Sequence, residues 1–443
     1  MFRTVGERPA VNSARRIGKS SENWLQRFWG WLSGRPSAAA QARMVSGHKT
    51  TWLKFDVPLL IIVVSLLVFG LVILASASYD ISYRINQDPS FIFLRQLTWL
   101  AIGLAAFLIS FLIDYHRLEF FALPMMILTL VLLSAVLVIN MMSGDVMRAL
   151  YANSGQPSEL AKFVVVIYLA VWLQSKGEQL KSFSFGFLPM AIIIGLVAGL
   201  IFIQPDFSAV ATVLTLGGIL FFIAGGNITH IGLFLGVTVV VGYMVVSITG
   251  RGMDRIIGFW EGIKSPINGP DQIVNSLSAF VEGGWFGVGV GNSETKLIYL
   301  QVPHTDSIFA VVGAETGVIG SVVMVLLFSL LLWQGIRIAR RAPDPLGVLL
   351  AGGMTIWLAI EAFLNMAVMV SLLPVTGNAL PFVSFGGSNL VTSMAAIGVI
   401  MSVARSSILM KEEKGTFFDA VVSLRGRDRG RRVSSPRRTA SHR

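Results

Sequence analysis

The sequence predicts an all-α polytopic membrane protein with about ten transmembrane helices and one long extracytoplasmic loop between spans seven and eight. Two features of composition support this. Hydrophobic residues make up 54% of the 443 residues and charged residues only 13%, whereas soluble domains carry about 25% charged residues. The mean hydropathy is +0.71. This composition excludes an ordinary soluble enzyme and a disordered chain.

Ten apolar segments are the candidate spans, since about 20 apolar residues cross a bilayer. Hydropathy places them near residues 57–78, 96–113, 119–141, 159–174, 187–203, 207–225, 229–249, 306–336, 346–370 and 382–405. The fourth to sixth segments are short or closely spaced, so the predicted number of spans has an uncertainty of one.

Basic segments flank this apolar body. We predict an N-terminal tail at residues 1–56, a membrane domain at 57–405 and a C-terminal tail at 406–443. Ten spans put both tails on one side, where the short loops also carry more Lys and Arg, so the positive-inside rule predicts cytoplasmic termini. Such tails favour contact with anionic lipids over the alternative, nucleic acid, because no recognition fold accompanies them.

The predicted long loop, residues 250–305, begins with a charged stretch that contains Arg251 and Arg255. A glycine-rich run follows, and then Lys296 and His304. The glycines of this run are Gly283, Gly284, Gly287, Gly289 and Gly291. Apolar residues throughout the loop predict ordered amphipathic or re-entrant structure. The glycines indicate tight turns or close approach to a bound group.

The absence of Cys excludes disulfides, Cys-ligated metals and thiol nucleophiles. The informative residues are instead ionisable groups in or beside apolar segments, where they are costly. Glu159 and Lys162 lie three residues apart on one helix face, either as a structural ion pair or as part of a functional site. Asp206, where the chain breaks between the fifth and sixth spans, is either part of a functional site or belongs to a simple turn in which it caps the next helix. Glu361 and Asn365 are expected to face the interior of the bundle.

The densest polar cluster opens the eighth span and runs from His304, Thr305 and Asp306 to Glu315. A carboxylate at this membrane edge has two interpretations. Asp306 is either a general base for a reaction on a lipid-borne substrate or a charge that stabilises the helix N-terminus.

Several motifs, in order and spacing, resemble those of one family. They are Ala75–Ser78, Arg95–Gln96, Gln156–Lys162, Gln204–Asp206, Gln272–Leu277, Gly289–Ser293, His304–Asp306, Leu373–Gly377 and Pro381–Ser388. On these motifs the chain, from about Asp56 to Arg405, resembles the SEDS (shape, elongation, division and sporulation) proteins, which include FtsW, RodA and SpoVE. The family's layout also has ten spans and a long loop after the seventh.

The resemblance implies a peptidoglycan glycosyltransferase in the bacterial cytoplasmic membrane. Such an enzyme polymerises lipid II into an undecaprenyl-linked glycan chain by inverting transfer. Asp306 occupies the position of the family's proposed catalytic residue and would be the general base. Further candidate substrate-binding residues are His304, Thr305, Lys296, Arg251, Arg255, Arg95, Glu159, Lys162 and Glu315. No cofactor is certain, but a divalent cation, Mg or Mn, is a candidate.

The resemblance also implies partners: a class B penicillin-binding protein, which is a transpeptidase, and other division proteins. The stretch Gly291–Leu297 is more similar to FtsW or SpoVE than to RodA, which favours a division role. Departures from the family pattern at residues 144–150, 301–302 and 314 motivate an alternative, a non-catalytic scaffold or regulator. A lipid-precursor flippase is less favoured, because the sequence shows no inverted repeat.

Overall fold

The computed structural model describes residues 54–143, 155–248, 250–265, 269–298, 300 and 302–429, and all regular structure in these ranges is helical. The α-helices in these ranges are α1 (Val57–Asn86), α2 (Phe91–Leu112), α3 (Leu118–Ser143), α4 (Pro157–Lys176), α5 (Leu188–Ile203), α6 (Phe207–Ile223), α7 (Ile228–Ile248), α8 (Gly250–Lys264), α9 (Asp271–Gly283), α10 (Glu294–Ile298), α11 (Ile308–Arg340), α12 (Pro345–Met369) and α13 (Gly387–Arg429). The predicted all-α class is confirmed. The N-terminal tail as far as residue 53 and the stretch 144–150 lie outside the described residues.

Eight helices of the described chain are long and apolar enough to cross a membrane: α1 to α5 and α11 to α13. Two further apolar helices, α6 and α7, coincide with the predicted sixth and seventh spans but are shorter in apolar length. The chain is therefore a multi-pass membrane protein. The two largest extensions beyond the predicted ends are those of α1, which continues past residue 78, and α13, which continues past residue 405. A helix can keep its hydrogen bonds after hydropathy falls.

Aspartate caps fix the start of three of these helices. The side chains of Asp56, Asp206 and Asp344 accept hydrogen bonds from backbone N–H groups in the first turns of α1, α6 and α12. The predicted cap at Asp206 is confirmed. A carboxylate at this position satisfies a donor that the helix cannot pair internally and interacts favourably with the helix dipole.

The bundle has a buried centre and an apolar exterior. Helices α4, α12 and α13 are mostly enclosed by the others, whereas α1, α2, α3, α5 and α11 expose large aliphatic side chains. This is the arrangement expected of a protein surrounded by lipid, where exposed apolar surface is not costly.

Two polar contacts pin α1 against the antiparallel α11. Near one end of the pair, Gln334 Nε2 donates to Asp56 Oδ1 at 2.7 Å. Near the other, Ser76 Oγ donates to Glu315 Oε1 at 2.5 Å. Roughly 20 residues of helix, or about 30 Å, separate these contacts. That length is close to the thickness of a bilayer's hydrocarbon core.

Helix α11 is interrupted at Gly317, whose φ of 68° and ψ of −166° are readily adopted only by glycine. The break frees backbone groups, and the glycine-rich loop after α9 pairs with them through four hydrogen bonds. They join Val288 N–H to the Ala314 carbonyl (3.0 Å), Gly289 N–H to Glu315 (3.1 Å), Val318 N–H to Gly284 (2.9 Å) and Ile319 N–H to Trp285 (3.3 Å). The prediction for these glycines was tight turns or close approach to a bound group, and the structure shows close approach to the backbone of α11.

This part of the predicted long loop is ordered and amphipathic. Helix α9 buries Ile273, Ser276 and Ala279 and leaves Asp271 exposed. Phe280, in its last turn, contacts the ring of Phe309 in α11 with centroids 5.6 Å apart. The prediction of ordered structure is confirmed for the described part of the loop.

Replacing Gly317 tests the importance of the break. Gly317→Ala places a Cβ against the backbone of Gly287 and Trp285 and forces a positive φ on alanine. We expect the free energy of unfolding, measured by SDS titration in mild detergent, to fall by about 1–3 kcal/mol. Gly195→Ala is the matched control, since that helical glycine faces open space, and its stability should be unchanged or slightly higher. Equal stability of the two variants would contradict this account of the break.

Candidate active site

The segment before α11 places Thr305 and Asp306 in the wall of a cavity of about 310 Å³. The opposite walls come from the start of α4, the start of α6 and the loop between α12 and α13. The lining residues are Gln156, Glu159, Asp206, Ser208, Val302, Thr305, Asp306, Gly377, Asn378, Ala379, Phe385, Gly386, Gly387, Ser388 and Asn389. Most of these side chains are polar, so the cavity suits a polar ligand.

Three hydrogen bonds fix the backbone of the His-Thr-Asp segment. The His304 carbonyl accepts a hydrogen bond from Phe385 N–H (2.8 Å). The Thr305 carbonyl accepts one from Ser384 Oγ (2.7 Å), and the Asp306 carbonyl accepts one from Asn365 Nδ2 (2.8 Å). Each donor belongs to α12 or to the loop that follows it. The position of Asp306 is therefore set by parts of the chain far from it in sequence.

The predicted interior position of Asn365 and Glu361 is confirmed, since both are buried. Asn365 Nδ2 also donates to the Asn378 carbonyl at 2.6 Å. One amide group thus holds both the Asp306 backbone and the facing loop. Gly377, in that loop, lies beside the carboxylate: a Cβ built on it would be 3.4 Å from Asp306 Oδ2.

His304 lies behind this wall, with its ring centroid 5.8 Å from that of Phe385. Burial lowers the pKa of His304 below its usual value, so the imidazole is uncharged at neutral pH. A neutral imidazole here adds no positive charge to the region around Asp306.

A buried ion network adjoins the cavity. Lys162 Nζ donates to Glu159 Oε1 at 2.8 Å and also contacts the Glu361 carboxylate. Asn389 Nδ2 donates to Glu159 Oε2 at 3.0 Å and lies 3.5 Å from Glu361 Oε2. The predicted pair between Glu159 and Lys162 is confirmed. Lys162 has a second partner, Glu361, which the sequence spacing did not indicate. Glu159 lines the cavity, whereas Lys162 lies behind it.

Asp206 is a second carboxylate of the cavity wall, and protein donors hold both of its oxygens. Oδ2 accepts from Gln156 Nε2 and Ser158 Oγ, each at 2.8 Å. Oδ1 accepts from Ser208 Oγ at 3.0 Å and Ala209 N–H at 3.2 Å. The Asp206 carboxyl group is therefore held by hydrogen bonds and joins the start of α4 to the start of α6.

Arg95 is the predicted cation that the structure connects to this cavity. Its guanidinium carbon lies 6.0 Å from the ring centroid of Phe385, which lines the cavity. The neighbouring Gln96 donates from Nε2 to the Ser384 carbonyl at 3.3 Å. Helix α2 is thereby attached to the same loop that holds Asp306.

Lys296 and Glu315 come together elsewhere. Lys296 Nζ lies 2.8 Å from both Glu315 Oε1 and Ser76 Oγ, and both charged side chains are buried. Lys296 lines a separate cavity of about 550 Å³ between α1, Phe93 and the glycine-rich loop. The structure thus places this predicted cation in an ion pair and in a wall different from that of Asp306.

Glu282 positions the short helix that carries Lys296. It accepts hydrogen bonds from Ser293 Oγ (2.9 Å) and from the N–H groups of Glu294 (2.8 Å) and Thr295 (3.3 Å). Burial alone would raise the pKa of Glu282, but these hydrogen bonds outweigh it and lower the pKa. The carboxylate is therefore ionised at neutral pH and caps α10.

Arg251 and Arg255 lie about one turn apart in α8. The side chain of Arg251 lies outside the described residues, and Arg255 is not among the residues that line the Asp306 cavity. In the part of the chain that the structure describes, no group of three or more His, Asp or Glu side chains is arranged to hold a metal ion.

Sequence reasoning missed Asn378 and Asn389 in the cavity wall. Both are buried polar residues within apolar surroundings. Polar residues within membrane helices are functional candidates, and this rule could have identified Asn389, which lies at the start of α13. Asn378 stands between two of the motifs that carry the family resemblance, and its loop position gave no periodic signal.

Comparison with known proteins gives concordant matches. A model of the FtsW/RodA/SpoVE family, described as cell cycle protein, matches residues 57–408. The chain is 37% identical to a probable peptidoglycan glycosyltransferase FtsW of Geobacter sp. (strain M18), over 79% of this chain and 96% of that protein. It is 36% identical to stage V sporulation protein E of Bacillus subtilis (strain 168), over 80% and 97%.

Two solved structures share the fold. One is a chain from a study of how a peptidoglycan synthase complex coordinates polymerization and crosslinking, with a TM-score of 0.65, 24% identity and coverage of 80% of this chain and 99% of that one. The other is rod shape determining protein RodA of Thermus thermophilus, with a TM-score of 0.58, 23% identity and coverage of 81% and 99%.

Removing the central ammonium tests the buried network. Lys162→Met leaves Glu159 and Glu361 adjacent without their cation, and removing one partner of a buried pair costs about 3–5 kcal/mol. We expect a loss of this size in SDS titration. Lys176→Met, in the last turn of the same helix, removes an ammonium that lies over the Trp172 ring and should cost about 0.5–1 kcal/mol. A loss for Lys162→Met no larger than that for Lys176→Met would contradict a stabilising role of the buried network.

Proposed function

The chain belongs to the FtsW/RodA/SpoVE family of cell cycle proteins, and from this membership we propose that it is a peptidoglycan glycosyltransferase that polymerises lipid II. The observation that carries the proposal is the Asp306 carboxylate in the wall of a polar cavity. The identity to a probable peptidoglycan glycosyltransferase, 37% over nearly all of that protein, supports it.

In the proposed reaction, Asp306 is the general base. The 4-hydroxyl of the acceptor N-acetylglucosamine gives its proton to the Asp306 carboxylate as its oxygen bonds to the anomeric carbon of the donor N-acetylmuramic acid. The bond from that carbon to the pyrophosphate oxygen breaks, and its electron pair leaves with undecaprenyl pyrophosphate. Attack opposite the leaving group inverts the anomeric centre, so no covalent enzyme intermediate is needed.

The leaving pyrophosphate needs positive charge, and Arg95 is the candidate that the contacts favour. It lies over Phe385 at the cavity wall, whereas Glu315 neutralises Lys296. We keep Arg251, Arg255 and a divalent cation (Mg or Mn) as further proposals for this role. His304 and Thr305 are proposed to shape the site through the backbone that they share with Asp306.

We propose that the Asp306 end of the bundle faces outward and that both termini are cytoplasmic. Arg337, Arg340 and Lys176 lie at the opposite end, in the last turns of α11 and α4. The positive-inside rule places such residues in the cytoplasm. We also propose that two basic tails flank a membrane domain at residues 57–405. These tails would contact anionic lipids.

A class B penicillin-binding protein is the proposed partner, with other division proteins. The fold similarity to a chain of a peptidoglycan synthase complex supports an assembly of this kind. The relatives named FtsW support a division role, and the relative named for sporulation keeps a sporulation role as the alternative.

Polymerisation of purified lipid II, with and without a class B penicillin-binding protein and with and without EDTA, tests the proposal. Asp306→Asn keeps the shape of the side chain and loses the base, so we expect the rate to fall at least about 100-fold. Asp271→Asn is the matched control at an exposed residue of α9 and should retain the rate.

Two results would contradict the proposal. Polymer from Asp306→Asn at the unaltered rate would exclude Asp306 as the base. A bound partner complex of the unaltered protein that makes no polymer would favour the scaffold alternative, for which the departures at residues 144–150, 301–302 and 314 would be the explanation.

A further inference from the structure

Helix α8 is an amphipathic helix that leaves much of its apolar side exposed. With 3.6 residues per turn, five of its apolar residues lie on one side and form an apolar stripe: Met253, Ile256, Ile257, Trp260 and Ile263. The side chains of Ile257, Trp260 and Ile263 are 47%, 58% and 51% exposed. A contiguous exposed patch of large apolar side chains marks a surface that contacts another apolar surface.

The opposite side of α8 is the side that contacts the protein. Gly262 is buried. A Cβ added to Gly258 would lie 3.0 Å from Pro270, and a Cβ added to Gly262 would lie 3.2 Å from Gly269. The residues that follow α8 therefore pack on its glycine side, and the apolar stripe is directed away from them.

Helix α9, the next helix of the same loop, shows the usual arrangement. It buries Ile273 and Ala279, and the ring of its Phe280 contacts Phe309 of α11. Both helices separate polar from apolar residues, but α9 covers its apolar side with other helices, whereas α8 presents its apolar stripe outward. The apolar stripe thus needs an apolar surface outside the described chain.

The connection to α7 indicates that this surface is lipid. Helix α8 begins at Gly250, two residues after α7 ends at Ile248. Its first turn therefore lies at the end of an apolar helix in a multi-pass membrane protein. Helix α7 exposes Val239 and Val240, as expected of a helix in contact with lipid. The apolar stripe continues this lipid-exposed surface.

The residues of α8 are typical of a helix that lies in the plane of a membrane surface. Such helices carry Trp and aliphatic residues on one side, charged residues elsewhere and little hydrophobicity overall. Trp260 belongs to the apolar stripe, and Asp254 and Glu261 are exposed beside it. With 15 residues, α8 is about 22 Å long, too short to cross a hydrocarbon core of about 30 Å.

We propose that α8 lies in the outer leaflet of the membrane, with Ile257, Trp260 and Ile263 among the lipid hydrocarbon chains next to the headgroups. The partner of the apolar stripe is then the bilayer itself. Arg255 lies two residues before Ile257, on the opposite side of the helix, and is directed away from the hydrocarbon. The assignment to the outer leaflet rests on the proposed orientation of the bundle, whereas contact with lipid does not.

Quenching of a fluorescent label tests this contact. The sequence contains no Cys, so each single-cysteine variant carries bimane at one position. Ile257→Cys, Trp260→Cys and Ile263→Cys label the apolar stripe, and Asp254→Cys and Glu261→Cys label the exposed polar side. In nanodiscs, lipids with brominated acyl chains quench bimane in hydrocarbon, and iodide quenches it in water. We expect brominated lipid to quench the apolar stripe at least about two-fold more than the polar side, and iodide to show the reverse order.

Two further variants calibrate the measurement. Val239→Cys in α7 is the lipid-exposed control, and Asp271→Cys in α9 is the water-exposed control. SDS titration shows whether each labelled variant is folded. No lipid II is present, so the result does not depend on the proposed polymerase activity.

Three results would overturn the inference. Brominated lipid could quench the five α8 positions equally, or iodide could quench the apolar stripe more than the polar side. Protection of the apolar stripe from both quenchers would assign this surface to a contact with protein.

Discussion

The exchange of backbone hydrogen bonds between the glycine-rich loop and the broken α11 is the constraint on which the rest of this end of the molecule depends. An apolar environment does not tolerate unpaired N–H and C=O groups, so a helix can break there only if another segment satisfies the freed groups. The loop from Gly284 to Gly289 does so. By docking on the break, it brings α9 and α10 against the first part of α11. The His-Thr-Asp segment then enters α11 from an ordered region.

Buried charge is handled differently at the two polar clusters. Around Lys162, two carboxylates share one ammonium and one amide, and the cluster borders a cavity. Around Lys296, one ammonium and one carboxylate pair with a serine at the junction of α1, α10 and α11. The first arrangement borders the Asp306 cavity through Glu159, whereas the second lies at a separate cavity and pairs Lys296 with Glu315. A cationic contribution to the cavity is therefore better placed on Arg95 than on Lys296.

Local patterns predicted most of the architecture. Hydropathy located every long membrane helix, and the spacing of Glu159 and Lys162 and the position of Asp206 correctly predicted a pair and a cap, because those contacts lie within one turn. The contacts of Glu361 with Lys162 and of Ser76 with Glu315 join distant segments and have no sequence periodicity. The break at Gly317 was also missed, since a single glycine in an apolar run is compatible with an unbroken helix. Asn378 was missed because its place in the cavity wall depends on the fold of a loop that has no periodic pattern.

The two contacts that pin α1 to α11 also determine how the protein meets membranes of different thickness. Because polar groups fasten the pair at both ends of a span of about 30 Å, the pair cannot lengthen or slide without breaking a buried hydrogen bond. In a thicker bilayer, the lipid around the bundle would have to thin, or its hydrocarbon chains would cover part of the polar ends of the bundle. Either change costs free energy that grows with the mismatch in thickness. The hydrogen bonds between α1 and α11 thus fix the length of this helix pair, and the surrounding membrane has to adapt its thickness to the protein.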